Sequence, residues 1–350
     1  MARREFHPES VESILVVRLY FVGDVLLATP VLEALKSRFP SARLTVLVKK
    51  RAVDVLEGNP FVDEVMVYDG VENYHSPRWV FRLAGELRRR RFSLAVDLTG
   101  DHRSSWLLFA SDPGFRVGLN HAGLGFLLDR RIDYRSTGHV VDHLLTAVEP
   151  LGARSTDAAP RVYLTEDERA EAGALLAEAG VKGGSGVLAL SPGANWPLRR
   201  WRPEFFGELA ALVREHQGLT SVVVGSADDA GLAEAVVGAS AGAAVSLAGR
   251  TSLRGLAAVA EHARAFVGND SGPMHIAAAV GTPVVGLFGP NTPVHFAPRG
   301  APSRVLWKRF ACSPCSQKRC ERPDDACMDA LAVDEVLDAL ESLLNEGGRR

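Results

Sequence analysis

Short apolar runs alternate with amphipathic stretches along the chain, and this alternation predicts strands separated by helices. In the first half, strands are predicted at 13–18, 44–48, 65–68 and 94–98, and helices at 25–39, 52–57 and 79–90. Pro30 falls inside the first helix, so we expect a kink or a delayed helix start there. This spacing favours a parallel, doubly wound sheet, in which ligands bind beyond the carboxyl ends of the strands.

The second half repeats the pattern after a hard-to-interpret region at 104–137. A capping box formed by Thr165 and Glu168 opens the helix that leads into it. Strands are predicted at 187–190, 221–224, 245–247 and 284–288, with one more ending at 267, and helices at 140–151, 165–180, 203–216, 252–262, 274–280 and 333–344. The repeat predicts two similar α/β domains, 1–165 and 166–350, facing one another across a cleft, with the last helix packing back on the first domain.

The stretch at 266–289 reads as strand, glycine-containing turn, helix and strand. Pro273 suits the first position of the helix, where its missing N–H is not needed. The bare N–H groups and the positive end of the helix dipole form an anion site, which a pyrophosphate fits most economically. The alternative is a structural turn in which Asp270 or Ser271 merely caps the helix.

Carboxylates follow two of the strands in the first half. Asp24 comes after a glycine at the mouth of a helix, where it could cap the helix or act as a general base in a ligand site. Asp97 is expected to be structural. The arginines at 88–91 are expected to be the solvated end of a helix, with contact to an anionic surface as the alternative.

A second glycine-containing turn, Pro-Gly-Ala at 192–194, follows a strand in the latter half. Arg199 and Arg200 come next and could neutralise a phosphate through forked hydrogen bonds. They could equally form a solvated basic patch above Trp201. The acidic pair at 228–229 lies after another strand and could accept hydrogen bonds from ribose hydroxyls.

Composition narrows the function classes. The 350 residues, 47% apolar and 23% charged, are typical of a soluble globular protein of two domains, and a net charge of −2 gives no overall attraction to nucleic acid. No G-x-x-x-x-G-K-[ST] occurs and no G-x-G-x-x-G follows a strand, so neither an NTPase nor a dinucleotide oxidoreductase is expected, and no cofactor is predicted. No signal peptide or apolar run of about 18 residues is present, so we expect a cytoplasmic protein that touches a membrane only peripherally.

All four cysteines lie in one loop with the spacing C-x2-C-x4-C-x6-C; they are Cys312, Cys315, Cys320 and Cys327. This spacing could hold zinc, but it lacks the paired C-x2-C motifs of a typical zinc site. A cytoplasmic protein disfavours permanent disulfides, so reduced or reversibly oxidised thiols are the favoured interpretation. No other metal site is predicted.

Several segments resemble the heptosyltransferase family of lipopolysaccharide synthesis, glycosyltransferase family 9, and together they cover nearly the whole chain. They are ILVVRLYFVGDVLLATPVLEALKSRFP, FSLAVDLTG, SPGANWPLRRWRPEFF, GNDSGPMHIAAAVGTPVVGLFGP and the CSPC loop. The resemblance implies a GT-B fold of two Rossmann-like domains, with the acceptor on the first and the nucleotide-sugar donor on the second. It also implies inverting, metal-independent transfer of a sugar, usually L-glycero-D-manno-heptose from ADP-heptose.

The acceptor that the resemblance implies is a lipid-linked saccharide of the lipopolysaccharide core, reached by peripheral contact with the cytoplasmic face of the inner membrane. The family's catalytic aspartate falls on Asp24. The implied donor-binding residues are Pro192, Gly193, Ala194, Arg199, Arg200, Asp270, Ser271, Gly272, Pro273, Met274 and His275, with Asp228 or Asp229 matched more loosely. The family usually has lysine where this chain has Arg199. The point charge of an ammonium group is thus replaced by the planar, forked guanidinium group.

Two other functions are compatible with the same architecture. A UDP-sugar 2-epimerase would need further acid and base residues and no acceptor. A protein that binds a nucleotide-sugar without reacting it would show donor binding and no transfer.

Overall fold

The computed structural model describes residues 4–68, 77–121, 124–133, 138–181 and 186–347. These residues form two compact units, Met1–Pro160 (unit 1) and Arg161–Arg350 (unit 2). The sequence prediction puts the domain boundary slightly later, between residues 165 and 166.

In unit 1, six parallel strands form one sheet among the described residues. The strands are β1 (Ser13–Arg18), β2 (Arg43–Lys49), β3 (Glu64–Tyr68), β4 (Leu94–Asp97), β5 (Phe115–Asn120) and β6 (Arg130–Asp133). The helices are α1 (Val22–Leu26), α2 (Thr29–Arg38), α3 (Pro77–Arg90), α4 (His102–Ser111) and α5 (Val140–Thr146).

Unit 2 also has one six-stranded parallel sheet in its described part. The strands are β7 (Val187–Ser191), β8 (Thr220–Val223), β9 (Ala244–Ser246), β10 (Ala265–Asn269), β11 (Val284–Phe288) and β12 (Ser303–Trp307). The helices are α6 (Glu166–Glu178), α7 (Pro203–Gln217), α8 (Ala230–Ala239), α9 (Leu253–His262), α10 (Gly272–Ala279), α11 (Pro293–Phe296) and α12 (Val333–Gly347).

Both sheets have the same strand order. The first runs β3-β2-β1-β4-β5-β6, and the second, read from the other edge, runs β9-β8-β7-β10-β11-β12. In each sheet the chain starts in the middle, winds to one edge, and returns to wind to the other. The order therefore reverses between β1 and β4 and between β7 and β10. Ligands of open α/β sheets bind beyond the carboxyl ends of the strands at such a reversal.

Proline accounts for two of the helix boundaries. The predicted first helix is divided into α1 and α2, and Pro30 lies in the first turn of α2, which confirms the expected delayed start. The predicted helix at 140–151 is shorter than expected, because α5 ends at Thr146 and a separate 3-10 turn, Glu149–Leu151, contains Pro150. Proline is favourable at the start of a helix and disrupts its interior.

Other elements differ from the prediction. The helix predicted at 52–57 is wrong: a 3-10 turn at Lys50–Ala52 is followed by further turns up to Gly58, which has a φ of +71°. So short a segment gains too few hydrogen bonds to offset helix nucleation. The strands β5, β6 and β12 were not predicted, because arginines such as Arg116 and Arg304 interrupt their apolar pattern.

Each unit has an apolar core of its own. In unit 1 the core includes Leu15 and Val17 of β1 and Leu107 of α4. In unit 2 it includes Trp201, which is fully buried, and the inward-facing leucines of α12, represented by Leu340. Throughout the described ranges, no helix is both long and apolar enough to cross a membrane.

Candidate functional site

Asp24 lies beyond the carboxyl end of β1, in the first turn of α1. The residue that caps this helix is Phe21, and its cap has no side-chain hydrogen bond. The carboxylate of Asp24 is 26% exposed, and its Oδ1 lies 3.5 Å from Nη2 of Arg18. The geometry does not support the capping interpretation of Asp24 and leaves the carboxylate partly open to solvent.

Arg18 ends β1 and is buried next to Asp24. Its Nε donates to the main-chain oxygen of Asp24 at 3.2 Å, and its Nη1 donates to the main-chain oxygen of Leu98. Burial lowers the pKa of Arg18, and the neighbouring Asp24 opposes this by favouring the charged form. The sequence analysis missed this residue, although an arginine directly after four apolar strand residues is a signal, because buried arginines are almost always paired.

Asp97 ends β4, on the other side of the strand-order reversal, and is fully buried. Its carboxylate accepts hydrogen bonds from the main-chain N–H groups of Thr99 and Gly100, both at 2.9 Å, and from the hydroxyls of Ser104 and Ser105 at 2.8 and 3.2 Å. Burial raises the pKa of Asp97 to about 6, although these hydrogen bonds favour its charged form. These contacts agree with the structural role expected for this residue.

Two histidines lie near Arg18 and were not predicted as site residues. His121 follows β5 and His143 belongs to α5, and their rings make an edge-to-face contact with centroids 5.7 Å apart. Burial lowers the pKa of both rings, to about 4 for His143, and the charge of Arg18 adds to the effect. Both imidazoles are therefore mainly neutral at pH 7.

In unit 2, the helix α10 begins at the carboxyl end of β10, beside the strand-order reversal. Ser271 is its N-cap but makes no side-chain cap hydrogen bond, and the Ser271 Oγ is buried without a partner. A Cβ added to Gly272 would meet nothing within 4 Å. The start of α10 therefore combines uncapped N–H groups with open space beside Gly272, as an anion site requires.

A buried carboxylate and an arginine lie beside the start of α10. Oδ2 of Asp270 lies 2.9 Å from Nη1 of Arg199 and accepts a hydrogen bond from Nδ2 of Asn291 at 2.7 Å. Burial raises the pKa of Asp270, while Arg199 and Asn291 oppose that shift. Asn291 was missed because only its position after β11 indicates that it can reach this carboxylate.

Asn269 joins the two predicted donor motifs. Its fully buried amide donates from Nδ2 to the main-chain oxygen of Pro192 at 2.8 Å and accepts at Oδ1 from the main-chain N–H of Trp201 at 3.0 Å. Arg200 donates from Nε and Nη2 to the main-chain oxygen of Ala194, at 3.0 and 2.8 Å. This guanidinium braces the Pro-Gly-Ala turn, so a purely phosphate-binding interpretation of Arg200 is incomplete.

Gly193 lies directly against Asp229. A Cβ added to Gly193 would lie 2.6 Å from Oδ1 of Asp229, so only glycine allows this approach. The other carboxylate oxygen accepts hydrogen bonds from the main-chain N–H and the hydroxyl of Ser226, at 2.9 and 2.7 Å. Asp228 is exposed. The turn and Asp229 are therefore neighbours, whereas Asp228 makes no comparable contact in the described residues.

The remaining predicted residues of α10 differ in what they can offer a ligand. The side chain of Met274 is fully buried, and its sulfur faces Gly286 of β11. Met274 can therefore offer a ligand only its main-chain N–H, which is compatible with its predicted place in a phosphate-binding turn. His275 is also buried, while Pro273 is half-buried and has no N–H.

The four cysteines are partly buried free thiols. Burial raises the pKa of Cys327 to about 11, and the other three thiols add to the shift. Within the part of the chain that the structure describes, no three His, Cys, Asp or Glu side chains are arranged to hold a metal ion. The zinc alternative for this loop therefore gains no geometric support.

Comparisons with known proteins identify the family. A sequence profile of "Glycosyltransferase family 9 (heptosyltransferase)" matches residues 80–324. Lipopolysaccharide heptosyltransferase 3 of Escherichia coli strain K12 is 25% identical over 332 residues, 93% of this chain and 96% of that protein. The glycosyl transferase family 9 structure from Veillonella parvula DSM 2008 aligns at a TM-score of 0.86 and 25% identity, covering 96% of this chain and 98% of that one.

The E. coli ADP-heptose lps heptosyltransferase II has the same fold, with a TM-score of 0.77, 23% identity, and coverage of 96% of this chain and 99% of that one. The predicted two-domain α/β GT-B fold is confirmed by these likenesses and by the two parallel sheets. The family profile extends over more than half of the sequence. The chain therefore belongs to glycosyltransferase family 9, the heptosyltransferase family, and is a glycosyltransferase.

Proposed function

We propose that this glycosyltransferase moves L-glycero-D-manno-heptose from ADP-heptose to an acceptor of the lipopolysaccharide core, with inversion at the anomeric carbon and without a metal ion. The observation that carries the proposal is the uncapped start of α10 beside the Arg199–Asp270 pair. Relatives named as lipopolysaccharide and ADP-heptose heptosyltransferases support the choice of donor and acceptor.

The donor diphosphate is proposed to lie at the start of α10. The N–H groups of Gly272 and Met274 belong to the first turn of the helix and have no intrahelical acceptor, and the helix dipole favours negative charge there. His275 follows in the same turn, and its N–H makes the first intrahelical bond. Arg199, which is paired with Asp270, adds a guanidinium beside them. Asp229, held against the Pro-Gly-Ala turn, is the proposed partner of the ribose hydroxyls.

Asp24 is the proposed general base. It takes the proton from an acceptor hydroxyl, and the resulting oxygen nucleophile attacks the anomeric carbon opposite the departing ADP. One displacement of this kind inverts the anomeric configuration. Arg18 is committed to main-chain oxygens and to the Asp24 carboxylate, which supports a fixed orientation of the base.

The leaving diphosphate gains negative charge as its bond to the sugar breaks. The N–H groups at the start of α10 and Arg199 oppose that charge more strongly in the transition state than in the ground state, which accelerates the step. These groups supply the positive charge that a metal ion provides in other transferases. We expect EDTA to leave transfer unchanged, and loss of activity restored by a divalent cation would contradict this part of the proposal.

Peripheral contact with an anionic membrane surface is proposed for α3. Phe81 of this helix is 63% exposed, the adjacent Arg82 is exposed, and so is Arg89, about two turns further along the helix. An exposed aromatic ring and exposed arginines on one helix suit the interface of an anionic bilayer. The protein should cosediment with phosphatidylglycerol vesicles and not with phosphatidylcholine vesicles. Equal binding of a variant carrying Phe81→Ser and Arg89→Glu would refute this surface.

Asp24→Ala tests the proposed reaction. The carboxylate is partly exposed and does not cap α1, and Arg18 keeps its hydrogen bonds to the main-chain oxygens of residue 24 and Leu98. The variant should therefore fold normally and bind ADP as the wild type does. Transfer should fall by about 10²- to 10⁴-fold, the usual contribution of a general base. Near-full turnover would show that Asp24 is not the base. An epimer formed from donor alone would instead favour the epimerase, and donor binding without transfer to any core acceptor would favour a binding protein.

A further inference from the structure

The four-cysteine loop, residues 312–327, is attached to the proposed donor site at both of its ends. At the first end, the hydroxyl of Ser313 donates to the main-chain oxygen of Gly289, and the N–H of Cys315 donates to the main-chain oxygen of Pro290, both at 3.0 Å. At the second end, a Cβ added to Gly289 would lie 2.7 Å from the sulfur of Cys327. Both ends therefore pack on the segment directly after β11.

That segment is itself connected to the start of α10. Asn291 follows Gly289 and Pro290, and its amide donates to Asp270. Asp270 in turn pairs with Arg199. The attachment of the loop thus places its middle beside the charged group that is proposed to receive the donor diphosphate.

Gln317, in the middle of the loop, reaches Arg199 directly. Its Oε1 accepts a hydrogen bond from Nε of Arg199 at 2.5 Å. With Nη1 on Asp270, the guanidinium is held from two sides and its plane is fixed. Gln317 adopts a φ of +59°, which non-glycine residues rarely do. Such backbone conformations persist where the surrounding structure holds them, often next to a ligand site.

We infer that Gln317 is a positioning residue, which orients the Arg199 fork toward the donor diphosphate without cancelling its charge. The inference rests on the proposed function of Arg199. A neutral amide suits this task, because a second carboxylate besides Asp270 would make the surroundings of the guanidinium net negative and repel the phosphate. A lysine at position 199 would have no planar fork to orient, so this contact is specific to the arginine of this chain.

The variant Gln317→Gly distinguishes a role of Gln317 in orienting Arg199 from a role in folding. Glycine adopts a positive φ without strain, so the unfolding temperature should stay the same or rise. The Kd for ADP, measured by calorimetry, should rise about three- to tenfold, as should the KM for ADP-heptose, because Arg199 must then be ordered by the ligand. Ser316→Ala, an exposed neighbour in the same loop, is the matched control and should bind ADP as the wild type does.

The Arg199→Ala background shows whether Gln317 acts through Arg199. In that background Gln317→Gly should change the Kd for ADP no further. An unchanged Kd for Gln317→Gly alone, or the same weakening with and without Arg199, would overturn the inference. If Arg199→Ala itself left ADP binding intact, the proposed role of Arg199 in the donor site would fail instead, so the two failures are distinguishable.

Discussion

Asn269 and Asp270 are adjacent at the end of β10 and make different contacts, because the first side chain ends in an amide and the second in a carboxylate. The amide of Asn269 can both donate and accept: its Nδ2 donates to the main-chain oxygen of Pro192, and its Oδ1 accepts from the N–H of Trp201. A carboxylate could not donate to the Pro192 oxygen. Asp270 has no donor and instead accepts from Arg199 and Asn291. The amide therefore links the Pro-Gly-Ala turn to β10, and the carboxylate holds the guanidinium of Arg199 beside the start of α10.

Gly272→Ala tests the proposed diphosphate position by adding a single methyl group at the start of α10. The added Cβ would meet nothing within 4 Å, and alanine is favoured in a helix, so stability should be unchanged or slightly higher. The Kd for ADP, measured by calorimetry, should rise by about tenfold or more, because the methyl group would occupy the space that the phosphate needs.

Gly238→Ala is the matched control for this substitution. It adds the same group to α8, where a Cβ also meets nothing within 4 Å, and it should leave ADP binding unchanged. Unaltered ADP affinity in Gly272→Ala, with the protein folded, would place the diphosphate somewhere other than the start of α10.

The sequence predicted the motifs of this site better than the contacts that complete it. Turns such as 192–194 and 270–272 can be recognised from the local sequence, since glycine and proline favour particular turn conformations of the backbone. Asn291 and Gln317 have no such local signal, because each reaches its partner only through the fold, and Arg18 has only the signal of an arginine directly after an apolar run. The hydrogen bond from Arg199 to Gln317 joins residues 118 positions apart.

At the scale of elements, apolar periodicity predicted most strands and helices and failed where charge interrupts it. β5 contains Arg116, which is buried and pairs with Asp129 at 2.9 Å. Apolar periodicity predicts a loop at such an arginine. In the structure its guanidinium pairs with a carboxylate that lies 13 positions later in the sequence. Propensity alone cannot anticipate a partner of that kind.

The carboxylate of Glu168 connects α6 to α9, and Glu168→Gln tests how much this contact contributes to the stability of the fold. Glu168 completes the capping box of α6 and pairs with the buried Arg254 of α9. The hydrogen bonds from Arg254 lower the pKa of Glu168 to about 2. At pH 7, Glu168→Gln should therefore lower the free energy of unfolding by about 2–3 kcal/mol, measured by urea denaturation.

The stability difference between wild type and Glu168→Gln should depend on pH in a direction set by the lowered pKa of Glu168. A carboxylate with a lowered pKa in the folded state stabilises the fold above its unfolded value, near 4.5, and loses that contribution as pH falls toward 2. The difference between wild type and Glu168→Gln should thus be constant above about pH 5 and shrink below it. Glu166→Gln is the control, because Glu166 is 91% exposed and such pairs contribute about 0–1 kcal/mol. A gap that stayed constant down to pH 3 would contradict the assignment.

At the scale of the whole molecule, the same strand order occurs twice, and each copy carries part of the proposed chemistry. In unit 1 the strand-order reversal lies beside Asp24, and in unit 2 it lies beside the start of α10. Although the topology is the same, one sheet carries the carboxylate proposed as the base and the other carries the proposed anion site. The difference comes from the few residues after β1 and β10, since the strands themselves are similar apolar runs.

A fragment of residues 161–350 tests whether unit 2 alone accounts for donor binding. This unit has its own complete sheet, and α12 packs into its core beside α7, so the fragment should unfold in one cooperative transition. It should bind ADP within about threefold of the full chain, since the groups proposed to contact the diphosphate and ribose all belong to it. It should transfer no sugar, because Asp24 is missing. The fragment with Gly272→Ala should lose affinity as the full chain does, and a folded fragment without ADP affinity would show that unit 1 contributes to the donor site.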